Sequence, residues 1–356
     1  LIHLFLQGTG ELSIMAKRSL LILLFLLTAT PLVYSQTVAG KYAGEFLAIG
    51  VGGRPLGMGG AFTAVANDVT AAYYNPAGLA ALDYPQLSLM HDQRYGNLVN
   101  YNYGGVAIPF GKDYTFAVSA LRLGVDGIYD TREALYDANG DGVLDIRTND
   151  KLDYSKIKEF SNQDWAFYLS AAKKIDDKLS IGANFKVIRR DIAEFGATGI
   201  GFDVGATYKA TDALMLGAAV QDVTTTLVAW STGRNELITP TLKLGAAYAL
   251  EILGGVLLPA VDFDVRFEGR KYAATMNLGP VSIDPHFGFE FNFKNVVAVR
   301  AGYNDVKQFT IGAGVKLPKL NIDYSFARFN MAEDDRLPDS HRISITLTLE
   351  EPKFKR

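Results

Sequence analysis

Cysteine is absent from the 356 residues, which excludes disulfides, thiolate metal centres, a cysteine nucleophile and a lipidated cysteine behind an export signal. Histidine is scarce. Past the amino-terminal region only His91, His286 and His341 remain, too dispersed along the chain to suggest a triad or a metal cluster. Paired acids such as Asp334 and Asp335 fall in a hydrophilic stretch, so the chain is not expected to be an enzyme. An excess of one charge is also lacking: 35 basic against 38 acidic residues, net −3, offers no footprint for nucleic acid. No apolar run suits a membrane helix, and low-complexity tracts and fixed-period repeats are missing.

What is present begins with an export signal. Met15-Ala16-Lys17-Arg18 supplies a basic start, residues 20–27 an apolar run, and Val33-Tyr34-Ser35 a small-residue cleavage site before Gln36. The apolar run is too short to span a bilayer, so the leader 15–35 is expected to be removed. Residues 1–14 precede the apparent initiator and read as an upstream artefact. Losing Lys17, Arg18 and Glu11 shifts the net charge from −3 to −4.

From residue 87 to 349 the chain repeats one pattern about fourteen times. Stretches of roughly ten residues alternate apolar and polar, which places alternate side chains on opposite faces of a sheet. Ile200, Phe202, Val204, Ala206 and Tyr208 share one face, while Gly201, Asp203, Gly205, Thr207 and Lys209 share the other. The same holds for Phe287, Phe289, Phe291 and Phe293 against His286, Gly288, Glu290 and Asn292. It holds again for Ile343, Ile345, Leu347 and Leu349 against Arg342, Ser344, Thr346 and Thr348. A soluble sandwich would turn the apolar face inward; a transmembrane barrel turns it toward lipid.

Strand length and turn order choose the barrel. Ten residues at ~3.3 Å rise and a ~45° tilt give a band near the ~25 Å apolar height of such barrels. Tight turns are expected at 111–113, 176–178, 211–212, 294–295 and 318–319, alternating with longer connections near 128–163, 191–198, 224–239, 268–285 and 330–339. Short turns on one rim and long loops on the other describe an up-and-down barrel. The expected fold is therefore an all-β, antiparallel transmembrane barrel of about fourteen strands over residues 86–350, with a tail at 351–356. Tyr101, Tyr103, Tyr114, Trp165, Tyr168, Tyr303 and Phe329 fit interfacial girdles or simple packing.

Residues 36–85, rich in Gly and Ala, show neither a strand period nor the polarity of a tail. A plug in the lumen would cover them, and the lumen-facing Gly201, Gly205, Gly288, Gly302, Gly312 and Gly314 would let a second backbone come close. Within this stretch stand Arg54-Pro55-Leu56-Gly57-Met58-Gly59-Gly60-Ala61 and Asn75-Pro76-Ala77-Gly78-Leu79. Asn75-Pro76 initiates a turn and Gly78 permits a positive φ, so the second block is a chain reversal. The glycines of the first block lack a following Gly-Lys-Ser/Thr, which argues against a phosphate loop.

The two blocks resemble the amino-terminal region of the PorV/PorQ family, outer-membrane proteins of the FadL-like superfamily. That resemblance covers about thirty residues specifically and the remainder by architecture. It implies a fourteen-stranded barrel with an amino-terminal hatch, with Asn75, Pro76 and Ala77 carrying the Asn-Pro-Ala element.

In the longest loop, Asp137, Asn139, Asp141, Val143 and Asp145 stand at positions one, three, five, seven and nine of a calcium-loop pattern, with Gly142 at six. Alternating oxygen ligands can wrap a hard cation. Position twelve is Thr148 where a bidentate Glu is usual, so another acid, such as Asp150 or Asp153, would complete the site. The alternative is a solvated acidic loop with ordinary Asn-Gly and Asp-Gly turns. No cofactor beyond this structural Ca2+ is expected.

The resemblance implies a type IX secretion and surface-attachment component in the outer membrane of a Gram-negative bacterium, receiving exported proteins through their carboxy-terminal signal domains. The wider FadL-like group implies instead a channel for hydrophobic small molecules, for which an apolar pocket beneath the hatch at Leu56, Met58, Phe62 and Leu79 would speak. Residues 350–356 follow the last strand where barrels usually end on an aromatic residue; Phe354 is the candidate substitute.

Overall fold

A computed structural model describes residues 44–96, 98–140, 142, 144, 151–270, 274–329 and 339–356, all within one compact unit, Gly40–Arg356. The leader and residues 1–14 lie outside the described residues. Fourteen antiparallel strands close into a barrel. They are β1 Gln86–Arg94, β2 Val99–Phe110, β3 Tyr114–Asp130, β4 Lys158–Lys174 and β5 Leu179–Ile192. Next come β6 Phe195–Lys209, β7 in two pieces (Leu214–Gln221 and Thr226–Trp230) and β8 in three (Asn235–Ile238, Thr241–Tyr248, Leu250–Ile252). The last are β9 Gly255–Arg266, β10 Val281–Phe293, β11 Val297–Tyr303, β12 Gln308–Leu317, β13 Leu320–Phe329 and β14 Ser340–Thr348. Each pairs with its sequence neighbours, and β1 pairs with β14 from Gln86↔Thr348 to Gln93↔His341, which removes both sheet edges.

The alternation reads inside-out relative to a soluble protein. Phe289 is 51% exposed on the outer face of β10, whereas its neighbour Glu290 is 4% exposed inside. Ile343 and Ile345 face out from β14 while Arg342 and Ser344 are buried. A wall that shows rings and branched aliphatics to its surroundings and hides its charges is matched to hydrocarbon, not to water.

Several expectations for the connections are corrected. β3 and β4 continue to Asp130 and from Lys158, so the longest outer connection is shorter than 128–163. The 191–198 connection is a two-residue turn, Ala193-Glu194, because the strands pair up to Ile192↔Phe195. Residues 224–239 contain strand pieces of β7 and β8. The expected 268–285 connection includes a short strand, Met276–Leu278, and the first residues of β10. Pro285 sits within β10, opposite Phe263; a proline ordinarily argues against a strand interior, which is why that boundary was misplaced. A further tight turn, Leu253-Gly254, joins β8 to β9 with both residues at positive φ (50° and 73°), as a two-residue hairpin requires.

Tyr101, Tyr103 and Tyr168 are not girdle residues: they point inward and are buried. Tyr114 does lie on the outer face, beneath the ammonium of Lys173 at 5.1 Å. At the outer rim Arg132 bridges Asp130 (2.7 Å) and Glu194 (2.9 Å), tying two hairpin tips together. The guanidinium holds the exposed Glu194 carboxyl below the ordinary glutamate range.

Candidate functional site

Residues 44–85 run through the barrel as short helical turns, Glu45–Ala48, Gly53–Gly57, Ala71–Tyr74 and Pro76–Ala81. No turn is long enough to be stable alone, so tertiary contact must hold the segment. Its apolar side chains are the core: Val51, Met58, Ala61, Phe62, Val69 and Leu79 are fully buried.

Wall glycines seat the segment. A Cβ on Gly302 would overlap Gly59 N, one on Gly205 would overlap the Asn75 side chain, and one on Gly217 would overlap Thr63 O. On Gly288 it would lie 2.5 Å from Met58 O, and on Gly312 3.1 Å from Gly57 Cα. Of the six lumen-facing glycines named from sequence, Gly201 and Gly314 do something else: they make room for wall side chains, Thr226 and Asp323. Gly182 and Gly245 are further seats, against Ala77 and Thr63. Sequence alternation could have found them.

Polar anchors complete the seating. Phe62 N and Thr63 N both donate to Asp262 Oδ2 (2.8 and 2.7 Å), Gly53 N donates to Ser344 Oγ (2.9 Å), and Tyr103 Oη donates to Val69 O (3.0 Å). Arg54 forms a fork on Glu290, Nε to Oε2 at 2.8 Å and Nη2 to Oε1 at 3.1 Å, with Phe62 under its guanidinium. Glu290 also accepts from Arg300 Nε (2.6 Å), and Arg300 Nη1 reaches Asp323 Oδ1 (2.7 Å). This chain of alternating charges was missed in the sequence. Its signal was present, as charges on the inward face of membrane strands.

The remaining motif residues each have a place. Gly59 and Gly60 take positive φ (64° and 83°). Asn75 Nδ2 donates to Ala206 O of the wall (3.0 Å) and to Thr63 O (2.9 Å), while its Oδ1 accepts from Ala77 N (3.2 Å). Pro76 opens the last helical turn, where a missing N–H costs nothing. Gly78 is corrected: it is not among the positive-φ glycines, and what excludes a side chain there is the approach of Ala66 O.

Between this segment and the strand ends that carry the longer connections lies a cavity of about 620 Å³. Phe46, Leu47, Ile49, Leu56, Tyr73 and Tyr74 give it an apolar floor and side, and wall groups including Arg94, Lys243, Asp264, His286 and Arg342 give it a polar rim. Most rim charges are paired: Lys243 with Asp264, and Arg190 with Asp164 at 2.8 Å beside the cavity. His286 Nδ1 is 2.9 Å from Gly59 O. Of the four residues proposed to line an apolar pocket, Leu56 does; Met58, Phe62 and Leu79 are packed solid.

The cavity also reaches a break in the wall. Gln221 and Asp222 line it, and between the two pieces of β7 the chain turns through positive φ at Asp222 (55°) and Thr225 (58°). There Lys186 is buried against Asp203 (3.1 Å) and Asp222 (2.7 Å).

In the acidic loop Asp137 Oδ1 accepts from Gly140 N (2.5 Å) and Oδ2 from Gly142 N (2.8 Å). Asp141, Val143 and Asp145 lie outside the described residues. Among the described residues no three His, Cys, Asp or Glu gather as metal ligands would.

Closed wall and lipid-matched exterior define a barrel of outer-membrane type, with residues 44–85 packed against the inner face of its wall. Residues 28–100 match the profile of an uncharacterised protein family, UPF0164. No curated protein sequence matches. The chain is similar in structure to the Ralstonia pickettii toluene transporter TbuX, at 15% identity and TM-score 0.56, covering 84% of this chain and 98% of that one. It is also similar to the Pseudomonas putida toluene transporter TodX (14%, TM-score 0.57, 85% and 99% covered) and to a Pseudomonas aeruginosa FadL homologue (14%, TM-score 0.51, 84% and 98% covered). The fold is thus that of the FadL-like outer-membrane barrels.

Proposed function

We propose that this chain is a channel in the outer membrane of a Gram-negative bacterium that admits hydrophobic small molecules. The carrying observation is the cavity of about 620 Å³ with its apolar floor at Phe46, Leu47, Ile49 and Leu56, above a segment that blocks the lumen. Ligand pockets of this kind, mostly apolar with a few placed polar groups, suit small organic molecules. Toluene transport by TbuX and TodX, which share the fold, supports the reading. The segment's seating on the wall glycines means that a solute leaves only if the segment shifts or if the wall opens at Asp222–Thr225, where the cavity already touches the break. The test is uptake of radiolabelled toluene into proteoliposomes. Faster uptake than into protein-free vesicles is expected, reduced several-fold by Leu47→Trp, which fills the cavity; equal uptake with and without protein rejects the channel.

A second reading rests on the motif blocks at Arg54–Ala61 and Asn75–Leu79, which resemble PorV/PorQ: a type IX secretion component that receives exported proteins with carboxy-terminal signal domains. Deleting the gene and cataloguing surface proteins tests it, with loss of signal-bearing proteins from the surface as its expected result. The leader reading makes its own prediction, that Edman sequencing of the barrel from isolated membranes begins at Gln36.

A further inference from the structure

The outer face of the wall carries a recess of its own, a cavity of about 550 Å³ spread over β2 to β6 and separate from the one inside the barrel. Register explains it. The outward row Phe116, Ala171, Ala183 crosses β3, β4 and β5, and the next row, farther from the short turns, is Val118, Leu169, Phe185, Phe202. Two methyl side chains stand together in the first row where the second carries a leucine and a phenylalanine, so the surface dips at Ala171 and Ala183. Larger groups bank the dip: Phe116, Val118, Leu169 and Phe202 are exposed, and the Phe185 and Phe202 rings lean together with centroids 5.4 Å apart. On a face matched to hydrocarbon, an acyl chain is what fills such a space.

One end of the recess is charged. The row nearer the short turns holds Phe110, Tyr114 and Lys173. Short turns mark the periplasmic rim, where aromatic rings sit at headgroup depth. Lys173 Nζ lies over the Tyr114 ring, 5.1 Å from its centroid, and that ring stacks at 6.4 Å on Phe116, which lines the recess. Its neighbour Lys174 is paired with Asp177 at 2.9 Å, whereas Lys173 has no carboxylate partner among the described residues. A lysine at this depth lays its stem along apolar surface and its ammonium among the headgroups, where phosphate is the available counter-charge.

We infer that this recess holds one phospholipid of the periplasmic leaflet, with an acyl chain over Ala171 and Ala183 and its phosphate on Lys173 Nζ. Shape and charge act on the same molecule, which sets this lipid apart from those that merely coat the wall.

The experiment uses the full-length barrel folded in detergent and read by native mass spectrometry. With dipalmitoyl phosphatidylglycerol added, one retained lipid per chain is expected. Dipalmitoylglycerol, which has the same chains and no phosphate, should be retained several-fold less. Ala171→Phe with Ala183→Phe fills the recess and should abolish retention. Lys173→Gln leaves the recess open and should lower retention several-fold, while Ala301→Phe, exposed on the outer face of β11, should change nothing. Unboiled gel mobility shows that each variant has folded. Retention that is unchanged in the filled variant or in Lys173→Gln means ordinary wall lipid and overturns the proposal, as does equal retention of the two lipids.

Discussion

Single atoms decide how the inner segment sits. Gly302→Ala places a Cβ on the backbone at Gly59, which has no room to move; overpacking of this kind costs about 1–3 kcal/mol. Gly104→Ala meets only the flexible end of Leu89 at 3.3 Å and should leave the protein nearly unchanged. Heat-modifiability on gels reads both, with a lowered midpoint expected for the first alone. Glu290 is a sharper case, since Arg54 and Arg300 both lean on it. Glu290→Gln keeps the shape and removes the charge, leaving Arg300 only Asp323 (2.7 Å) and Arg54 only Asp68 (3.7 Å) as carboxylate partners; breaking a buried pair typically costs on the order of 3 kcal/mol. The unfolding midpoint of the variant, read by heat-modifiability on gels, should then fall below that of the parent. At the outer loop, the proposed calcium site must take over the two oxygens of Asp137 that now accept from Gly140 and Gly142. Calorimetry should show heat on adding calcium to the parent and none with Asp137→Ala and Asp141→Ala together. The motif residues were legible one by one because Gly, Asn and Pro carry backbone meaning locally. Their partners were not: Asp262 and Ser344 lie 200 and 291 residues from the backbone groups they hold.

Elements were legible wherever alternation ran unbroken. β6, β10 and β14 face the sides that their sequences indicate, because a period of two leaves no freedom once one face must meet hydrocarbon. Connections were harder to place, since hydrophilic strand ends beyond the membrane resemble loops: β3 and β4 lose their greasy face near Gly124 and Gln163 yet stay paired to Asp130↔Lys158. The interruption of β7 hid for a different reason. Asp222 and Thr225 adopt positive φ without being glycine, and nothing in their side chains announces it. A β-branched residue in that region is strained by roughly 1–3 kcal/mol, so Thr225→Gly should relieve about 1 kcal/mol and raise the unfolding midpoint. Toluene uptake in the same variant bears on the wall break as an exit. An unchanged rate in a stabilised barrel would move the exit elsewhere.

The molecule as a whole is a closed sheet whose stability depends on the medium around it. Its exterior presents Phe287, Phe289 and Phe293 of one strand, each more than a third exposed, a surface that would aggregate in water and that lipid covers. Its interior is filled by the residues 44–85 segment, so the small and polar residues of the wall face protein and a limited cavity instead of an open channel. That division was readable from alternation and the turn order, and a luminal segment over residues 36–85 was expected from its composition, while the wall groups that hold it required long-range contacts to see. The orientation makes a quantitative prediction. Arginine on the lipid face of a barrel costs about 2–4 kcal/mol near the bilayer midplane and little at the rims. Phe289→Arg, midway along the outward row of β10, should therefore lower folding stability in lipid vesicles by that amount in a urea titration. Thr131→Arg, in the exposed outer connection, adds the same charge where water already reaches, and a change within about 0.5 kcal/mol is expected. If both substitutions cost the same, the greasy row does not face hydrocarbon and the barrel has been turned the wrong way out.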